Sequence, residues 1–204
     1  MGIAGVSCQG SNFYATSIQK AKKENDNFTY LVSTETTEDK KEDNGKILGL
    51  TMITDPNSDI SWGMTAKYAD DSTSQNPIIQ VNSNYGGKTA IYKIPINDIN
   101  PNNASHLEMF ALCSYADDQG IGDNSKFGTY QTLKSFDYMS IHNGYFGEGV
   151  KEVNTFEQFR DAKLNWEEAC KKTVDLLYKC NDLIQYNKGK DILNLISKYS
   201  IRKI

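Results

Sequence analysis

A chain of 204 residues with 22 Lys/Arg and 26 Asp/Glu carries a net charge of −4 and has room for one domain with a tail. Even in residues 151–204, where 11 Lys/Arg meet 8 Asp/Glu, the basic residues are scattered among acids, so the one-sided stripe that nucleic-acid phosphates require is not expected. No apolar run approaches the roughly 18 residues of a membrane helix, residues 1–10 lack the charged and apolar regions of a secretory signal, and the four cysteines form no C-x-x-C, so neither a membrane span, signal-directed secretion nor a zinc site is expected.

Residues 1–58 read as a polar, partly disordered tail and residues 59–204 as a single globular domain. Residues 1–27 are small, polar and Lys-rich. Residues 33–46 hold Glu35, Glu38, Asp39, Lys40, Lys41, Glu42, Asp43 and Lys46 with hardly an apolar side chain, which cannot repay the entropy of ordering. Residues 28–32 and 47–53 are short strand candidates. Then Ile60, Trp62, Met64, Ala66 and Tyr68 fall on every second position, the period of a half-buried strand. Two further strand-like runs, 78–84 and 89–96, flank Tyr85-Gly86-Gly87-Lys88, a hairpin turn sequence. Short connections predict an antiparallel meander.

After Asn100-Pro101 the period changes. Ser105 and Glu108 fit a capping box. The helix that follows is apolar nearly all round, through Leu107, Met109, Phe110, Ala111, Leu112, Cys113, Tyr115 and Ala116, which predicts a buried central helix with Phe110 against the sheet. His106, Glu108, Asp117 and Asp118 lie near its ends, where capping and the helix dipole account for them. A second helix is expected over 129–142, with Tyr130, Leu133, Phe136 and Met139 inward. Thr155 and Gln158 form another capping-box pattern. Phe159, Trp166, Cys170, Val174, Leu177, Cys180 and Ile184 then keep three-to-four spacing, with Asn165 a candidate cap for a fresh start. Gly189 is expected to separate a last helix carrying Ile192, Leu195, Ile196 and Tyr199 on one face. Cys170 and Cys180 are expected to be buried free thiols, since ten helical residues set them about 15 Å apart. The fold class is therefore α+β: a small antiparallel sheet of three or more strands packed on a buried helix, with additional C-terminal helices.

Four patterns could carry chemistry, and each has a plainer reading. Asp55, Asn57 and Asp59 are spaced like the start of a calcium loop, but the sixth and twelfth places hold Ile60 and Ala66 rather than Gly and Glu, so a turn is expected. The run Gly144-Tyr145-Phe146-Gly147-Glu148-Gly149 is glycine-rich but matches no phosphate loop. Its aromatics are expected to be exposed, as a protein contact would use them. Cys113, His142 and one of Asp117, Asp118 or Asp137 could compose a thiol triad, but a thiol amid apolar helix surface is poorly reactive. Asp117 and Asp118 point about 100° apart on a helix and read as a solvated pair. No catalytic, cofactor-binding or metal-binding residue is assigned, and no cofactor is expected.

The stretch Trp62-Gly-Met-Thr-Ala-Lys-Tyr-Ala-Asp-Asp, then Asn76-Pro-Ile-Ile-Gln-Val, then Tyr92-Lys-Ile-Pro-Ile-Asn-Asp-Ile-Asn-Pro-Asn-Asn-Ala, then Leu107-Glu-Met-Phe-Ala-Leu-Cys-Ser-Tyr resembles a set of uncharacterised Firmicutes proteins of gut clostridia, classed as domains of unknown function. The resemblance covers residues 60–120 and loosens over the C-terminal helices. It implies a bacterial origin and a domain over about 60–204, and brings no reaction or site residue with it. The expectation for function is a non-catalytic protein-interaction or regulatory domain of a bacterial protein, with an unknown protein partner possible and neither nucleic acid nor membrane. The alternatives are an enzyme of unrecognised type or an exported surface component. Cytoplasmic location is expected, with signal-less export as the other route.

Overall fold

The computed structural model describes residues 45–54, 61–85, 88–122, 128–147, 153 and 155–200. Most of the expected tail, the strand candidate 28–32, Cys8 and the turn residues Gly86 and Gly87 lie outside them. Four antiparallel strands form one sheet in sequence order: β1 (Gly49–Thr54), β2 (Ser61–Tyr68), β3 (Ile78–Tyr85) and β4 (Lys88–Pro95). The fold is α+β, as expected. Strand β1 and the buried Leu48 belong to the sheet and core, ahead of the boundary expected at residue 59.

Period two decides which face is covered. Trp62, Met64 and Ala66 of β2 alternate inward, and the register aligns Met64 with Ser83 and Ala66 with Val81. Val81 in turn faces Tyr92, and Ile79 faces Ile94, so one face presents a continuous buried row. Across it lies α1 (His106–Asp118), reached through two 3-10 turns. Its capping box is present: Ser105 Oγ accepts from the Glu108 N–H at 3.3 Å, and Glu108 Oε2 accepts from the Ser105 N–H at 2.6 Å. Of its thirteen residues, the described burial leaves only Tyr115 and Asp118 partly open. A Cβ on Gly49 would sit 2.1 Å from Ser114 Oγ and 3.3 Å from the Phe110 ring, so glycine lets β1 touch α1. Helix α1 closes with Gly120 at φ +69° and paired bonds from Ile121 N–H to Ala116 O and from Gly120 N–H to Asp117 O, a Schellman ending.

The remaining helices are α2 (Gly128–His142), α3 (Phe156–Asp161), α4 (Trp166–Lys179) and α5 (Leu183–Ser200). Asn165 does start a new helix, its Oδ1 accepting from the Glu168 N–H at 3.1 Å. Trp166 Nε1–H donates to Ala104 O at 2.8 Å and pins that start to the core.

Two expectations fail after α4. Cys180 is exposed rather than buried, and Ile184 is 73% exposed. The stripe ends because Asn181 takes φ +58° and Asp182 caps α5, accepting from the Gln185 N–H at 3.2 Å. Nor does Gly189 separate helices, since it lies inside α5. A Cβ there would meet Val174 Cγ2 at 2.9 Å and Phe136 Cε2 at 3.0 Å, so this glycine brings α5 tightly against α4 and α2.

Candidate functional site

The sequence candidates separate in space. Asp55, Asn57, Asp59 and Ile60 lie outside the described residues, as do Glu148 and Gly149. Tyr145 and Phe146 are half-buried rather than exposed, and Phe146 meets Trp166 edge-on at 5.5 Å. Their loop folds back on the start of α4, which consumes the contact surface expected of it. Cys113 is fully buried, and burial followed by the Asp117 charge pushes its thiol well up. His142 lies exposed at the end of α2, its ring 3.9 Å from that of Tyr138.

Asp117 and Asp118 turn to different tasks. Asp117 is buried, contrary to the solvated pair expected. Its carboxylate accepts from the Thr129 N–H at 3.1 Å and the Thr129 hydroxyl at 2.5 Å, anchoring the first turn of α2. Asp118 is itself largely covered, accepting from the Tyr68 hydroxyl at 2.8 Å and from Lys46. Lys46 holds its carboxyl below the usual range.

His106 stands at the helix start as expected, but capping and the dipole do not account for it: it is 2% exposed, stacked on Phe159 at 5.4 Å and edge-on to Trp166 at 4.7 Å. Its Nδ1 lies 3.2 Å from the Tyr130 hydroxyl, and its Nε2 lies 3.4 Å from Asp137 Oδ2. Nδ1 and the Tyr130 hydroxyl share one hydrogen bond, while Nε2 faces Asp137 across a gap too long for a strong bond. Burial first, then half-buried Lys134, holds the imidazole down to about 3, so it is neutral at pH 7. Asp137 favours the opposite direction, but the loss of solvation prevails in a site this closed. Tyr130, Lys134 and Asp137 come from one face of α2 at three-to-four spacing. The array resembles an acid–base relay in composition, yet Tyr130, His106 and the nearby Cys170 are all closed to solvent, so no substrate reaches them.

An open cleft of about 520 Å³ lies between the first turns of α2 and one side of α5, a volume ordinary for a ligand site. Thr129 and Thr132 form one wall, Ile192 and Leu195 the floor, and Lys188 and Lys198 of α5 stand along the other wall. The cleft follows from local structure. Asp117 fixes the α2 start, and Gly122 passes where a Cβ would lie 2.1 Å from Asp117 Oδ1 and 2.3 Å from Thr129 Oγ1. Gly189 seats α5 at one end, and Ile121 borders the opening from the turn after α1. Neither lysine takes part in an ion pair among the described residues, nor does Asp191 between them. A second hollow, beside Asn165 and Glu168, is lined by charges already engaged, with Lys171 bonded to Glu167 at 2.6 Å and Asn165 capping α4.

Among the described residues no group of three or more His, Cys, Asp or Glu side chains is placed to hold a metal, and no helix is long and apolar enough to cross a membrane. The sequence placed Ile192 and Leu195 on one face of the last helix but assigned no cleft residue to a site. Only the packing of α5 on α2 brings Lys188 and Lys198 to one wall. No protein-family model, curated protein or solved structure matches this chain.

Proposed function

We propose that the chain is a non-catalytic protein-interaction or regulatory domain of a bacterial protein, of the clostridial kind it resembles, and that it holds its partner at the α2–α5 cleft. One observation carries this reading. The cleft offers two lysines without ion pairs among the described residues beside an apolar floor, and neither Cys nor His lines it, while Cys113, Cys170 and His106 are sealed in the core. Binding without chemistry is what such a wall can do. Free thiols at Cys113, Cys170 and Cys180 suit a reducing, cytoplasmic setting.

The test is reciprocal capture from a clostridial lysate with the full chain and with Asn194→Trp, which fills the cleft from an exposed helical position. The expected result is a partner that, tagged in turn, recovers the wild-type chain and recovers the variant at least tenfold less. A partner held equally by both would remove the cleft from the reading, and failure of every reciprocal capture would overturn it.

A further inference from the structure

We infer that the α2–α5 cleft recognises an extended peptide segment in which two carboxylates, four residues apart, flank one apolar side chain: acid–x–apolar–x–acid. The inference rests on the cleft being a protein-recognition surface and adds the chemistry of what it takes. Lys188 and Lys198 are ten residues apart on α5, which separates them by about 15 Å along the helix. Both are exposed, line the cleft and make no ion pair among the described residues. Like charges whose backbones lie about 15 Å apart suit two anions on one extended strand, because four residues of strand span about 13 Å and long lysine side chains cover the difference.

Period two completes the match. In an extended segment the first, third and fifth side chains point to one side. With carboxylates at the ends on Lys188 and Lys198, the third side chain falls over Ile192 and Leu195, the apolar floor between the two lysines. Asp191, on the same wall near Lys188, disfavours a third acid between the ends and leaves the central place to an uncharged side chain. Asp191 and Asn194 also offer oxygens to the N–H groups of an extended backbone. Across the cleft, the first turn of α2 adds partial positive charge, which the Asp117 carboxylate behind Thr129 offsets in part, so the lysines supply the main attraction.

The probe is fluorescein-Gly-Gly-Glu-Ala-Leu-Ala-Glu-amide, titrated with the full chain and followed by anisotropy. Saturable binding is expected. Lys188→Glu and Lys198→Glu should each weaken it by about threefold or more, and together by about tenfold, in line with exposed ion pairs. The effect should shrink at high salt. A second peptide with lysine at both ends should prefer the doubly reversed variant to the wild type. Thermal melts should match the wild type for Lys188→Glu, which has no ion pair to lose among the described residues, and fall slightly for Lys198→Glu, which places an acid in the last turn of α5. Absence of saturable binding, affinity indifferent to both reversals, or wild-type preference for the lysine-ended peptide would each overturn the inference. Should a partner be captured through the cleft while this peptide fails to bind, the ligand chemistry falls and the interaction reading stands.

Discussion

At the first position of α1, His106 is neutral because its surroundings cannot solvate a charge. Its imidazole is held down to about 3 against an ordinary 6.5, so folding disfavours the protonated form. Stability from this group is whole above pH 6.5 and is lost as pH falls from there toward 3. By pH 4.5 the loss is on the order of 2–3 kcal/mol, at about 1.4 kcal/mol per pH unit. Urea denaturation of wild type and His106→Phe at pH 7 and pH 4.5 checks it. The wild type should lose more stability between the two, and parallel losses would mean the imidazole does not titrate on unfolding. Thiol reactivity is argued at the same scale. Cys113 is fully buried and Cys170 is pushed up to about 12 by burial, whereas Cys180 is exposed at the end of α4. Cys180→Ser should therefore abolish one rapidly labelled equivalent with a disulfide reagent, and Cys113→Ser none. The sequence placed Cys170 correctly and Cys180 wrongly because periodicity carries no mark of where a helix stops. That mark was Asn181, and its left-handed φ is a property of the turn rather than of the pattern.

Helix boundaries show what local chemistry writes into a chain. Ser105 with Glu108 and Thr155 with Gln158 form the capping boxes their spacing predicts, and Asn165 caps α4. Gly189 was legible as a breaker and is instead a contact, because its role depends on Val174 and Phe136 from two other helices. Alanine there raises helix propensity by about 1 kcal/mol. It also forces a methyl against a stiff valine and a buried ring, which costs about 1–3 kcal/mol in cores. A net destabilisation is expected for Gly189→Ala in chemical denaturation. Val174→Ala in the same chain should recover part of it, a non-additivity that marks direct contact. The same seating sets one end of the cleft, so this variant should also alter ligand affinity where a surface change on α5 far from the cleft would not.

Across the whole molecule, α1 is the shared wall between sheet and helices. Phe110 is 1% exposed, lies against β1 at Gly49 and meets Tyr130 edge-on at 5.3 Å. Phe110→Ala should cost about 3–5 kcal/mol, as large aromatic truncations in cores do. Glu108→Ala, which removes a cap and the 2.6 Å contact from Lys163, should cost less, about 1–2 kcal/mol. Equilibrium denaturation of the two side by side decides it, and a Phe110 loss under about 1 kcal/mol would refute the central-helix picture. The meander and this helix were readable in advance because period two and all-round apolarity are local patterns. The cleft was not, since its walls come from segments some sixty residues apart in sequence. The sheet order has a kinetic consequence of its own. Each strand neighbours the one before it in the chain, so pairing can proceed by successive hairpin closures, each with a small entropy of loop closure and a time of about 1–10 μs. A fold that assembles its sheet from near neighbours leaves, among the described residues, only the outer edges of β1 and β4 without a strand partner once the last hairpin has closed.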